Sequence, residues 1–171
     1  MSIALSGTPG VGKTTVSKIL KKRGYDILDL NRFLKERGLL GEKDIHRDTF
    51  EVDLERMKKV FEKENLKVDI IEGHLSHHLS VSTAVVLRCA PPVLKERMKS
   101  KGWKKEKIEE NVEAEMIDAI LIQAMETSEE VFEIDTTELA PSQVASSVED
   151  IIGGKTEGYE PGTVDWSDEL L

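Results

Sequence analysis

One cysteine, Cys89, is all that the 171-residue chain contains. No intrachain disulfide can form, and a reducing compartment is expected. No apolar run approaches the roughly 18 residues of a membrane-spanning helix, and no signal-peptide pattern opens the chain. Positive charge is in deficit: 24 Lys and Arg against 33 Asp and Glu leave a formal net charge of −9. The chain as a whole therefore has no electrostatic case for binding nucleic acid, although an acidic protein suits a basic protein partner. No internal repeat is visible. These absences leave a soluble, cytoplasmic protein of one-domain length, long enough to bury a substantial core. The first chemical motif is complete by residue 14, so no leader is expected ahead of the fold.

That motif is Gly7-Thr8-Pro9-Gly10-Val11-Gly12-Lys13-Thr14. Its spacing, G-x-x-x-x-G-K-[ST], is that of a loop that cradles the phosphates of a nucleoside triphosphate. Ile3, Ala4 and Leu5 before it suit a buried strand, and Val16 to Lys22 after it read as a helix with Val16, Ile19 and Leu20 on one face. Strand, glycine loop and helix are the context the motif needs. Gly7, Gly10 and Gly12 let the backbone approach phosphate oxygens and take positive φ. The loop N–H groups and the helix N-terminus then face the anion. Lys13 is placed to reach the β- and γ-phosphates, and the Thr14 hydroxyl to ligate Mg²⁺.

Further along, Tyr25 to Leu30 is a second strand candidate, with Asp29 at the end where open parallel sheets bind ligands. Asn31 is expected to cap a short helix to Arg37 that Gly38 ends. Gly41 to Asp48 reads as a polar loop, and Phe50 to Glu64 as a charged helix with an apolar stripe. Val68 to Glu72 is the third strand. An acidic residue ending an apolar strand downstream of a phosphate loop is the usual second half of a Mg²⁺ site, which selects Glu72 over Asp69 inside the strand. His74, His77 and His78 follow. A zinc site at His74-x-x-His77 is not expected, because Cys89 in the next strand is the sole soft partner; His77 and His78 read as ordinary histidines, whereas His74 stands two residues past the candidate carboxylate. Ser82 to Cys89 is the fourth strand. Pro91-Pro92 opens a helix to Lys101, and Lys104 to Glu126 reads as one long helix. The cations Arg97, Lys99, Lys101, Lys104, Lys105 and Lys107 gather there, either as a solvated face or as a lid over triphosphate. Val131 to Asp135 is the fifth strand, Pro141 to Ile152 the last helix, and Lys155 to Leu171 an acidic tail whose Tyr159, Trp166 and Leu170 dock on the domain or on a partner. The succession predicts an α/β fold with a mainly parallel sheet.

Four segments resemble the small adenylate-kinase-like ATPases of ribosome assembly, the sixth adenylate kinase isoenzyme and its archaeal relatives. They are the loop G-T-P-G-V-G-K-T-T with its Thr15, the strand end I-I-E-G-H, the segment L-K-E-R-M-K-S-K-G-W and the helix I-E-E-N-V-E-A-E-M. Their order and spacing carry the match over about Met1 to Ile152, and the tail resembles the archaeal Y-x-P-G-x-V-D-W. The resemblance implies a nucleoside monophosphate kinase-like P-loop fold: a five-stranded mainly parallel sheet, helices on both faces and a short lid. It implies a domain over 1–153, with a monophosphate-binding segment at about 31–64 and a lid at about 93–115, then a tail over 154–171. The implied reaction is ATP plus AMP to two ADP, with ATPase activity, Mg²⁺ as cofactor and a role in small ribosomal subunit assembly beside a ribosomal protein of the S11 family. In these terms Gly10, Val11, Gly12, Lys13, Thr14 and Thr15 hold the phosphates, Thr14 and Glu72 the Mg²⁺, and Arg97, with Lys101, the transferring phosphoryl group. His74 couples the Mg²⁺ site to substrate or to an attacking water, and Arg32, Lys35, Arg37 and Arg47 are the candidate monophosphate contacts. Glu72 stands where many members have Asp, Lys101 replaces a lid arginine and so lacks its bidentate fork, and Trp103 replaces tyrosine. The alternatives are an ATP-switched assembly chaperone with negligible AMP kinase activity, and a small-metabolite kinase of shikimate or dephospho-coenzyme A type, against which the lid and histidine segments argue.

Overall fold

The computed structural model describes residues 2–46 and 48–170, with all their side chains except those of Glu169 and Leu170. In chain order it runs β1 (Ile3–Gly7), α1 (Lys13–Lys22), β2 (Ile27–Asp29), α2 (Leu30–Glu36), β3 (Leu40–Asp44), β4 (Thr49–Val52), α3 (Leu54–Glu64), β5 (Ile70–Glu72), β6 (Thr83–Arg88), α4 (Pro91–Ser100), α5 (Lys105–Met116), α6 (Ala119–Thr127), β7 (Glu130–Asp135) and α7 (Pro141–Ile152). Five strands form one parallel sheet in the order β2-β5-β1-β6-β7. Because side chains alternate across a strand, the sheet feeds two cores. Leu5, Ile70, Val85, Leu87 and Ile134 pack against α1, α4 and α7 through Val16, Leu20, Leu94, Met98, Val144 and Val148. Ala4, Ile71, Ala84, Val86 and Val131 pack against α2, α3 and α6 through Leu30, Phe33, Leu34, Met57, Leu121 and Ala124. The strands are apolar on both sides because helices cover both faces, as a parallel sheet requires.

Strand order reverses at β1, which lies between β5 and β6. Ligands of open α/β sheets bind beyond the carboxyl ends of the strands at such a point. Register makes the ends level there: Leu5 lies beside Glu72, and Glu72 beside Asp29.

Several local expectations are corrected. The polar loop at 41–48 and the first residues of the helix at 50–64 are instead an antiparallel hairpin, β3 with β4, pairing Leu40 with Val52 and Lys43 with Phe50. Propensity could not reveal it: Gly41 lets the Glu51 carbonyl approach, since a Cβ there would stand 3.2 Å from its oxygen. The helix begins only at Leu54, because Asp53 caps it by accepting from Arg56 N at 3.0 Å. The cap of α2 is Asp29, not Asn31; its carboxylate accepts from Arg32 N at 3.0 Å. The single long helix at 104–126 is two, parted at Asp118, whose φ of 55° no α-helix admits. Arg88 supplies the reason: its guanidinium bonds both the Asp118 carboxylate and the Glu115 carbonyl, so tertiary contacts hold the break open. The tail docks on its own domain, with Glu133 N donating to Tyr159 O at 2.8 Å and Trp166 Nε1 to Glu115 Oε1 at 3.2 Å. Arg47 and the Leu170 side chain lie outside the described residues. No described helix is long and apolar enough to cross a membrane.

Candidate functional site

The loop is shaped by two different demands for glycine. Gly7 has φ 138°, and a Cβ there would stand 2.4 Å from the Leu87 carbonyl oxygen, so the loop presses on β6. Gly12 has φ 112°, yet nothing lies within 4 Å of where its Cβ would be. It borders an open cradle at the start of α1. No side chain caps that helix, so its first N–H groups lack intrahelical acceptors and face the cradle, the ordinary basis of an anion site. Lys13, only 7% exposed, folds along the loop and donates to Gly7 O at 2.6 Å and Thr8 O at 3.0 Å. Burial pulls its pKa down from 10.5 to about 8, against the opposing pull of Glu72 and Glu115.

Glu72 ends β5, buried at 5% exposure. Burial raises its pKa and the nearby Asp29 adds to this, while Lys13 and a hydrogen bond from Thr14 oppose. A hydroxyl and a carboxylate thus meet beside the cradle. Such a pair of hard oxygens fits Mg²⁺, which takes one or two protein oxygens and fills the rest of its shell with phosphate and water. Asp69 is elsewhere, tied by its carboxylate to Asp26 N at 2.7 Å at the opposite end of the strands. His74 lines the same cleft. Burial and the neighbouring Lys13 push its pKa down to about 4, so the imidazole is neutral at ordinary pH.

The cleft is about 710 Å³. Its floor is Gly10, Gly12, Lys13, Thr14, Thr15 and Glu72; one wall is Asn31, Lys35 and the hairpin residues Leu40, Thr49 and Phe50; the other is Lys101, Trp103, Lys107 and Asn111. Lys101 and Lys107 bracket the Trp103 ring, with Nζ 5.6 and 4.6 Å from its centroid. The two walls touch where Lys104 Nζ donates to Ile45 O at 3.0 Å and Lys107 Nζ to Asp48 O at 3.2 Å.

The structure brings together the loop, Thr14, Glu72, His74 and Lys101, but not Arg97. That guanidinium donates to Val11 O at 3.3 Å, Thr136 Oγ1 at 3.1 Å and Thr136 O at 2.8 Å, clamping the outside of the loop to the segment after β7. Those bonds hold it against the outside of the loop and out of the cleft lining, whereas Lys101, the C-cap of α4, reaches the cleft. Of the monophosphate candidates, Lys35 lines the cleft. Arg32 pairs with Glu36 at 2.7 Å on the surface, and Arg37 grips Glu64 with two bonds. His77 is fully buried and meets Ser6 Oγ at 2.8 Å and Gln123 Oε1 at 3.3 Å through its two ring nitrogens, a tie between β1 and α6 rather than a ligand pair with His74.

Two contributors escaped the sequence. Lys107 is one cation among six in the sequence, and only the fold sets it in the cleft wall. Arg88 left a signal, an arginine inside the apolar run V-V-L-R-C. It is 1% exposed and holds Glu115, Glu133 and Asp118.

Comparisons with known proteins give the family and the fold. The model of an AAA domain family (AAA_18) matches residues 3–118. A protein of Archaeoglobus fulgidus named "putative adenylate kinase" is 44% identical over 99% of this chain and 94% of its own length. Proteins of the same name from Pyrococcus abyssi and Methanocaldococcus jannaschii are 44% and 38% identical over the whole of this chain and 96% of theirs. Among solved structures, shikimate kinase of Acinetobacter baumannii in complex with shikimate superposes with a TM-score of 0.62 at 16% identity, covering 91% of this chain and 94% of that one. Shikimate kinase of Bacteroides thetaiotaomicron gives 0.56 at 14% identity, covering 90% and 98%. At such identities the likeness is one of fold, the P-loop α/β fold.

Proposed function

This chain belongs to the family of archaeal adenylate-kinase-like proteins, and on that premise we propose that it transfers the γ-phosphoryl group of ATP to AMP, with ATP hydrolysis as a second activity. One observation carries the reading: a single cleft sets the glycine loop, Lys13, Thr14 and Glu72 between a hairpin wall holding Lys35 and a second wall holding Lys101 and Lys107. A donor with three phosphates and an acceptor with one need cations on both sides of the transferring group. Three phosphates supply the negative charge that these lysines face.

The chain's own groups then have definite tasks. The loop N–H groups and Lys13 hold the β- and γ-phosphates, and Lys13 exchanges its carbonyl partners Gly7 and Thr8 for phosphate oxygen. Thr14 and Glu72 would hold Mg²⁺, which would supply positive charge against the terminal phosphates. An AMP phosphate oxygen attacks the γ-phosphorus, the bond to the β–γ bridging oxygen breaks, and ADP leaves on each side. Lys101 meets the charge that spreads in the transition state, where positioning and electrostatics supply most of the rate. Segment 31–64 is the acceptor side and 93–115 the lid, in contact through Lys104 and Lys107. Arg97 stiffens the loop from behind. Closing the two walls excludes water from the reacting atoms.

A second reading, an ATP-switched factor in small ribosomal subunit assembly acting on a basic ribosomal protein of the S11 family, is favoured by His74. A neutral imidazole beside Lys13 and Glu72 is suited to orienting an attacking water, which transfer to AMP does not need. The net charge of −9 suits a basic client. The test is turnover of Mg-ATP with and without AMP, then with the basic protein, in wild type and His74→Ala. Stoichiometric ADP formation that requires AMP supports the kinase, and turnover that ignores AMP but rises with the protein supports the factor. Failure of His74→Ala to lower hydrolysis more than transfer removes the water-orienting role.

A further inference from the structure

We propose that Glu115 is a positioning residue for the glycine loop, and that the C-terminal segment completes its hydrogen bonding through Trp166, coupling the docking of that segment to the binding of nucleotide. The proposal rests on the reading that the loop takes ATP. Glu115 lies in the last turn of α5, 2% exposed. Its Oε2 accepts from Thr8 Oγ1 at 2.6 Å. Its Oε1 accepts from Arg88 Nε at 2.8 Å, from Cys89 N at 3.2 Å and from Trp166 Nε1 at 3.2 Å. Thr8 is a loop residue, and its carbonyl is one of the two that hold the Lys13 ammonium. One carboxylate therefore joins the C-terminal indole to the residue that steadies the phosphate-binding lysine.

Hydrogen bonding explains why the segment is needed. Arg88 pairs with three carboxylates, of which Glu115 and Glu133 are buried and Asp118 is half-exposed. One guanidinium cannot reach every oxygen of the two buried groups, and buried carboxylate oxygens without donors are costly. The segment supplies the missing donors: Trp166 Nε1 to Glu115, and Val164 N at 2.8 Å with Thr163 Oγ1 at 3.1 Å to Glu133. Without Trp166, Glu115 is held by fewer donors and its aim at Thr8 loosens. When phosphate draws Lys13 off the Thr8 carbonyl, the change returns along the same bonds, because coupling between two binding events is reciprocal.

The experiment is a double-mutant cycle of Thr8→Val and Trp166→Phe on the whole chain, with Kd for Mg-ATP and for AMP by calorimetry and melting temperature alongside. Trp166→Phe keeps a ring over Arg88, which lies 5.9 Å from the Trp166 ring, and deletes the N–H. We expect Kd for ATP to rise about tenfold, the lower end of what one hydrogen bond to a charged group contributes, with Kd for AMP within about twofold. In the Thr8→Val background, Trp166→Phe should change nothing further, because the route to the loop is already cut. Equal effects in both backgrounds overturn the coupling. A second readout needs no change at Trp166. In a chain carrying Trp103→Phe, Trp166 is the sole indole, and ATP should shift its emission, with the shift lost when Thr8→Val is added. An emission indifferent to ATP overturns the proposal. If the wild type binds no ATP, the functional reading falls and the proposal with it; if it binds ATP with additive substitutions, the proposal falls alone.

Discussion

Replacing Lys13 by methionine should abolish turnover and make the domain more stable. The ammonium is buried against the loop, and burial lowers its pKa from 10.5 to about 8. At about 1.4 kcal/mol per pH unit, keeping it charged in the fold at pH 7 costs about 3 kcal/mol. Methionine removes that cost but leaves the Gly7 and Thr8 carbonyls without a donor, at about 1 kcal/mol each. The net gain at pH 7 is about 1 kcal/mol, or about 3 °C in melting temperature for a domain of this size. The sign with pH is the stricter test. As pH rises through about 8 the folded lysine loses its proton while the unfolded one keeps it to 10.5. Wild-type stability therefore rises relative to Lys13→Met between these values, by about 2 kcal/mol from pH 7 to 9.5. The gap should close and then reverse. Urea unfolding of both proteins at the two pH values measures it. Saturating Mg-ATP should stabilise only the wild type, by about 2.7 kcal/mol at a hundred times Kd. A variant less stable than wild type at pH 7, with a gap indifferent to pH, would refute the claim that function here holds a lysine in an unfavourable place.

Arg97 and Lys101 should part company. Arg97→Ala should cost about 2 kcal/mol of stability, by loss of its bonds to Val11 and the segment after β7, whereas Lys101→Ala should lower kcat about a hundredfold with no change in melting temperature; thermal scans and kinetics on both distinguish them. Gly12→Ala should cost only about 1–2 kcal/mol, the penalty of positive φ, yet abolish ATP binding by calorimetry because the methyl enters the cradle, while Gly7→Ala should unfold the domain against Leu87. His77, pushed down to about 4 by burial, is protonated first in the unfolded chain as pH falls from 6.5. It should therefore withdraw about 2 kcal/mol of stability by pH 5, a slope that His77→Asn flattens in urea titrations.

The local sequence was sufficient wherever neighbours along the chain make the structure. The glycine loop is one such place, because positive φ, an exposed helix start and the Lys13–Thr14 pair need only adjacent residues. The strands are another: their apolar runs announced burial on both sides, and with it a parallel sheet under two layers of helix. The end of β5 singled out Glu72 for the same reason. Tertiary structure decided what rests on distant partners. The hairpin β3–β4 is drawn from mostly polar segments whose pairing, Lys43 with Phe50 and Asp44 with Thr49, no local pattern records. The break between α5 and α6 answers to Arg88, about thirty residues earlier in the chain. Arg97 and Lys101 lie four positions apart in a dense run of cations, and sequence has no means to tell which lines the cleft. The carbonyls of Val11 and Thr136 hold Arg97, and Lys101, at the end of the helix, is left to the cleft. A charge can be read from a chain, but the direction it points depends on what the rest of the fold brings beside it.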